Sequence, residues 1–204
     1  IPKLKAGSPN GCISGSVGRV NVESMNQLKK SFMLLIYSTE KIDGKYQFAR
    51  IFYAFSNPGS KGNDYTSDDE FGNVFTACLK PGEYHITAME VNGAGSRYWN
   101  PEPFDIRFRV DDNASIYIGS FSLFIEETRL EKSRRITALN LRLADRSARD
   151  IPLIMANKNK PPKLPVISLV DPTSAYPFIV KYNEATQSKT RIAEEAEFQI
   201  GNRK

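Results

Sequence analysis

Proton-transfer chemistry in this chain would rest on a single imidazole, His85, which stands in the run Glu83-Tyr-His-Ile-Thr-Ala-Met-Glu-Val91 directly after a Lys-Pro-Gly turn. A serine or cysteine nucleophile would need that ring as its base, and the ring would need an orienting carboxylate. No serine lies in a Gly-x-Ser-x-Gly elbow, and strand alternation identifies no carboxylate beside His85. The residue is therefore read as a surface or hairpin-packing histidine, and the chain as not an enzyme. Asp64, Asp68, Asp69 and Glu70 gather four carboxylates in one stretch but lack the order of a calcium loop, so a solvated acidic loop is expected and no metal site. No glycine loop opens a helix to cradle phosphate, and no cofactor is expected.

Cys12 and Cys78 are the only cysteines and belong to no C-x-x-C pair, which removes the usual redox and zinc-ribbon readings. They suffice for one disulfide closing a long loop, but spacing alone does not fix the geometry such a bond demands, so bridge and free thiols both stay open. A binding constellation is the remaining chemistry. Tyr98 and Trp99 lie in a Gly-rich loop beside Arg97, and Tyr65 lies in the other long loop. Together they could stack on a sugar or anchor a partner, or fold back as a plug over an open end.

The elements that would carry these residues read as mainly β. Ile13–Val22 alternates weakly and its glycines suggest a bulge, while Ser31–Ser38 is apolar on both parities and reads as a central strand covered on both faces. Asp43-Gly44 signals a hairpin returning as Tyr46–Phe55, with Tyr46, Phe48, Arg50 and Phe52 on one face and Ala49, Ile51 and Tyr53 on the other. Ser56–Glu70 is polar throughout and reads as a loop with nothing to bury. Val74–Leu79 and Glu83–Val91 flank Pro81-Gly82 and are expected to pair as a hairpin, with Tyr84, Ile86, Ala88 and Glu90 on one side. Phe104–Val110 has the cleanest alternation, and Ser115–Phe124 is read with Ile116, Ile118, Ser120 and Ser122 on one side. This makes seven strands of an antiparallel β-sandwich over residues 10–125.

Residues 126–204 are expected to form a mixed α/β extension. One strand, 136–143, could join the sheet, and a short helix is expected to open on Asp150 as N-cap with Pro152 in its first turn. Residues 1–125 hold 13 basic and 13 acidic side chains, and 126–204 hold 15 and 10, so the whole net charge of +5 sits in the last third. Its basic residues are interleaved with acids, which fits a salt-bridged surface rather than a phosphate-tracking stripe, and no nucleic-acid partner is expected. No run approaches the roughly 18 apolar residues a spanning helix needs.

The succession Phe75-Thr-Ala-Cys-Leu-Lys-Pro-Gly-Glu-Tyr-His-Ile-Thr-Ala88, then Phe104-x-Ile-x-Phe-x-Val110 and Ile116-Tyr-Ile-Gly-Ser120, resembles transthyretin-like, carboxypeptidase-regulatory-type β-sandwiches of uncharacterised bacterial envelope lipoproteins. Leu79, Pro81, Gly82, Tyr84, Ile86, Tyr117 and Gly119 carry the resemblance, over about residues 10–125. It implies a fold and an exported setting, in the periplasm or associated with a cell membrane after removal of a signal peptide, and no activity. Asn10-Gly-Cys12-Ile lacks the small apolar residues that precede a lipidated cysteine, so a lipid anchor is expected upstream of Ile1. The reading is a non-catalytic cell-envelope module for interaction or assembly, with a protein or envelope component as partner. The competing reading is a carbohydrate or small-ligand binder using Tyr65, Arg97, Tyr98 and Trp99.

Overall fold

Apolar side chains at every second position divide the chain between two sheets that face each other across one core. The structure, a computed structural model, describes residues 11–20, 30–54, 62–67, 70–93, 96–99, 105–130, 133–170, 179–183 and 188–191. For residues 30, 92–93, 96–99, 124–130, 133–140, 179–183 and 188–191 the description is of the backbone.

The strands are β1 (Gly11–Val20), β2 (Lys30–Ile42), β3 (Lys45–Ala54), β4 (Tyr65–Thr66), β5 (Glu70–Leu79), β6 (Gly82–Gly93) and β7 (Ser96–Trp99). They continue with β8 (Ile106–Val110), β9 (Ser115–Leu130), β10 (Ser133–Ala144), β11 (Val166–Ile167), β12 (Ile179–Asn183) and β13 (Ser188–Arg191), with one helix, α1 (Ser147–Ala156), after β10. Eight strands form sheet A in the order β13-β12-β10-β9-β1-β5-β4, with β11 also on β9. Five form sheet B in the order β3-β2-β6-β7, with β8 also on β6. The mainly β class is as expected, and the strands outnumber the seven anticipated.

Sheet A contributes Ile13, Val17, Ala77, Leu79, Ile118, Phe121, Leu123, Leu141 and Leu143 to the core, and sheet B contributes Phe32, Leu34, Ile36, Ile51, Tyr53, Tyr84, Ile86, Met89 and Val91. Each large side chain buried this way is worth about 1.5–3 kcal/mol. The position near Ile125 where the charge balance shifts falls inside β9. Beyond it, β10 pairs antiparallel with β9, and its Leu141 and Leu143 enter the same core.

Three local features shape the site. Asp43 and Gly44, both at positive φ (52° and 77°), make the tight turn joining β2 to β3, as Asp-Gly predicts. Pro81-Gly82 does not make a hairpin: β5 pairs with β1 and β4, whereas β6 pairs with β2, β7 and β8. The turn is a corner that carries the chain from sheet A to sheet B, because Leu79 and Tyr84 must both point into the space between the sheets. The Tyr84 hydroxyl ties the corner by donating to the Lys80 carbonyl at 2.8 Å.

The third feature is a pair of bulges. Between β1 and β9 the register passes from Ser14↔Tyr117 to Ser16↔Ser120, with Gly119 at φ 123°. One extra residue in β9 reverses its parity. Ile116 and Ile118 face the core before the bulge and Phe121 and Leu123 after it, so Ser120 and Ser122 turn to the outer face, contrary to the simple alternation. A register shift where Leu35 meets Ala88 and Ile36 meets Ile86 does the same in β6, where Met89 and Val91 replace Ala88 and Glu90 as core residues.

Candidate functional site

The two bulges and the placement of α1 give the sheets very different outer faces. On sheet A, even-numbered residues of β1 and β5 point outward, together with Tyr117, Ser120, Ser122 and Arg142. The helix begins at Ser147, with Arg146 rather than Asp150 in the N-cap position, and Asp150 is aimed down at the sheet. Glu70 (1 % exposed) and Asp150 (0 % exposed) are thereby buried between helix and sheet.

Each carboxylate is fully engaged. Glu70 meets the guanidinium groups of Arg142 at 2.9 Å, Arg149 at 3.3 Å and Arg146 at 3.4 Å, and accepts a hydrogen bond from the Ser122 hydroxyl. Asp150 accepts from Ser16 at 2.6 Å, Tyr117 at 2.7 Å and Arg149 at 2.7 Å. Arg149 joins the two centres: it also donates to Ser16 at 3.1 Å, and its guanidinium lies 3.6 Å from the centroid of the Tyr65 ring. Burial opposes its charge, but Asp150, Tyr65 and Glu70 together hold its pKa above the usual arginine value. Burial raises the Tyr65 and Tyr117 phenols as well, with the charge of Glu70 adding to the first and that of Asp150 to the second. Buried charges held in this way are costly to uncouple, so the arrangement acts as a clamp locking α1 to β1, β5, β9 and β10.

Cys12 and Cys78 lie at the corner end of the same face, directly opposite each other in the β1–β5 register and joined by a disulfide. The Cys12 amide donates to Ala114, on the β9 side, so Cys12 and Cys78 form a non-hydrogen-bonded pair, the closer of the two antiparallel spacings.

Among the described residues, no element covers the outer side of the β2–β3 hairpin of sheet B. Tyr37 (37 % exposed), Tyr46 (60 %) and Phe52 (60 %) present their rings there. Tyr37 packs on Phe48 with centroids 4.8 Å apart, Arg50 lies 4.9 Å over Phe48, and Lys41 lies 6.0 Å over Tyr46. β2 is thus central in its sheet but is not covered on both faces, as its apolar sequence suggested. From Phe52 and Arg50 the surface turns into a cleft of about 540 Å³ at the open side of the fold. Asp64, Asn73, Phe75 and Thr76 form its sheet A wall, and Asn157 and Asn159, after α1, close one end.

The residues expected to act together are distributed otherwise. Tyr65 is not a loop aromatic available to a ligand: it pairs with Gly72 in β4, is 8 % exposed, and is covered by Arg149. Arg97, Tyr98 and Trp99 belong to β7 at the edge of the other sheet, opposite Asn92, Val91 and Glu90, and their side chains lie outside the described residues. Glu70, assigned to a solvated acidic loop, is the first residue of β5 and the centre of the clamp, while Asp68 and Asp69 lie outside the described residues. Among the described residues no cluster of three or more acidic, histidine or cysteine side chains is placed to hold a metal ion.

His85 is half-buried on the outer face of sheet B, and its Nδ1 lies 3.2 Å from Asp105 Oδ1. Sequence reasoning missed this carboxylate because it lies just before β8, whose pairing with β6 sets Arg107 opposite His85. A hydrogen bond from Arg107 holds the Asp105 carboxyl below the usual range, with His85 adding to the effect and burial opposing it. Among the described residues no hydroxyl or thiol hydrogen-bonds to His85.

Comparison of the chain with family models, with curated proteins and with solved structures found no match.

Proposed function

We propose that this chain is a non-catalytic β-sandwich module of the cell envelope that acts by binding another protein, with the outer face of the β2–β3 hairpin as its contact surface. The observation that carries the reading is the cluster of exposed aromatics, Tyr37, Tyr46 and Phe52, interleaved with Lys41 and Arg50 on one sheet face. Aromatic residues and arginine are the side chains most enriched at protein interfaces, where large rings give contact area at low entropic cost. The resemblance to transthyretin-like envelope lipoproteins supports an exported setting, and a disulfide between the only two cysteines is consistent with an oxidising compartment. No helix among the described residues is long and apolar enough to cross a membrane.

Native gel electrophoresis of a mildly solubilised envelope fraction tests this. The protein is expected in that fraction, in a complex larger than its own 22.9 kDa. The Tyr46→Ser/Phe52→Ser variant is expected to migrate alone while keeping its thermal midpoint. Recovery of the wild type as a free chain in the cytoplasmic fraction would overturn the reading.

A further inference from the structure

We infer that the cleft between the sheets is a strand-acceptor site: an extended, acid-flanked peptide segment of a partner protein pairs with the free edge of β5. The inference rests on the reading of the chain as an interaction module and adds the chemistry of what it accepts.

The free edge follows from hydrogen-bond parity. In β1 the Cys12 amide points to the β9 side, so the odd-numbered residues of β1 face β5, and their partners Asn73, Phe75 and Ala77 turn their backbone groups inward to β1. Even-numbered residues of β5 point the other way. Gly72 is used there, since its carbonyl accepts the Asp64 amide at 2.9 Å, and the Val74 amide donates to the Asp64 carboxylate at 2.9 Å. β4 pairs only at Phe71 and Gly72. Beyond it, the backbone N–H and C=O groups of Thr76 and Cys78 have no partner among the described residues, so β5 presents an open edge from Val74 to Leu79, about 17 Å at 3.4 Å per residue.

That edge borders the cleft, whose floor includes the apolar side chains of Val17, Ile51 and Phe75. A strand continuing the line of β4 would satisfy Thr76 and Cys78 and point alternate side chains at this floor, the geometry of strand addition. Charge selects its flanks. Arg50 lines one wall, and Lys158 and Lys160 are exposed at the end that Asn157 and Asn159 close. Among the described residues the one lining carboxylate is Asp64, which is engaged by the Val74 amide. Acidic residues at the ends of the incoming segment complement this rim.

The test uses the full chain and a fluorescein-labelled peptide of alternating valine and threonine with two glutamates at each end. In the free protein, amide exchange of Thr76 and Cys78 is expected to be at least tenfold faster than that of Phe75 and Ala77, and the peptide to slow it at least tenfold. Binding measured by anisotropy should weaken at least tenfold when every peptide nitrogen is methylated, and likewise in Thr76→Pro, a position where proline removes no sheet hydrogen bond. Arg50→Glu should weaken it about fivefold and restore it for the lysine-flanked peptide. Slow exchange at Thr76 and Cys78 without peptide, absence of saturable binding, equal binding of the methylated peptide, or binding of a chitin tetrasaccharide in its place would each overturn the inference. Persistence of the envelope complex dependent on Tyr46 and Phe52 alongside such a result would locate the failure in the cleft and leave the interaction reading standing.

Discussion

The outer face of sheet A and the outer face of the β2–β3 hairpin in sheet B begin from the same problem and solve it in opposite ways. Both place long side chains on the side of a sheet away from the core. On sheet A these are Glu70, Tyr117 and Arg142, sealed under α1 by Asp150 and Arg149 until the carboxylates have no access to water. On the hairpin they are Tyr37, Tyr46 and Phe52, which no described element covers. The contrast teaches that polarity is a poor guide to exposure here: the charged cluster is interior and structural, and the aromatic cluster is exterior, on the face where we propose a partner docks.

This division is broken most forcefully at its ionic centre. Glu70→Gln should cost about 3–5 kcal/mol in urea unfolding, because three guanidinium groups lose the charge that offsets their burial. If it costs less than about 1 kcal/mol, the cluster is solvated and the contrast disappears. Reducing the Cys12–Cys78 bridge, which closes a separation of 66 residues, should cost about 2–4 kcal/mol and leave the chain folded at room temperature. Tyr117→Phe removes one hydrogen bond to Asp150 and should cost about 1–3 kcal/mol.

The same phenols give the clamp a pH signature. Tyr65 and Tyr117 have folded-state pKa values raised above the ordinary value of about 10, and Tyr84, raised by burial to about 12, shares the direction. A group raised in the folded state contributes stability that is fully present below its unfolded pKa and is lost as pH rises above it. Unfolding free energy should therefore be flat in this respect below pH 10 and fall from about pH 10 upward, with Tyr117→Phe showing a shallower decline. At the small end, Phe52→Ser should change stability by no more than about 0.5 kcal/mol, which sharpens the comparison by showing that the ring is not held for packing.

Local chemistry was legible in the sequence where it acts over a few residues. Asp43-Gly44 dictates its turn, and Ile106, Phe108 and Val110 alternate with Arg107 and Arg109 as a one-sided strand must. Parity after Gly119 and after the β6 bulge was not legible, because a bulge is defined against the partner strand and each chain alone still alternates. Glu70 was misjudged for a related reason. In its own stretch it looks like one more solvated acid, and the arginines that bury it come from residues 142–149, brought across by β10 and α1. The Pro81-Gly82 corner looked like a hairpin because flanking sequence encodes a turn without encoding which sheet receives the next strand. Tyr46 and Phe52 share one face of β3 as their alternation indicates, yet nothing in their order said which face would be the exposed one.

The most direct test places a photo-crosslinking residue at Tyr46 on the hairpin face or at Ala148, an exposed position of α1 over the sealed face, in the full chain in its own cells. The account predicts a discrete protein adduct from position 46 and none from position 148. An adduct at 148 with none at 46 would contradict it, since the helix-covered face would then be the one that meets a partner.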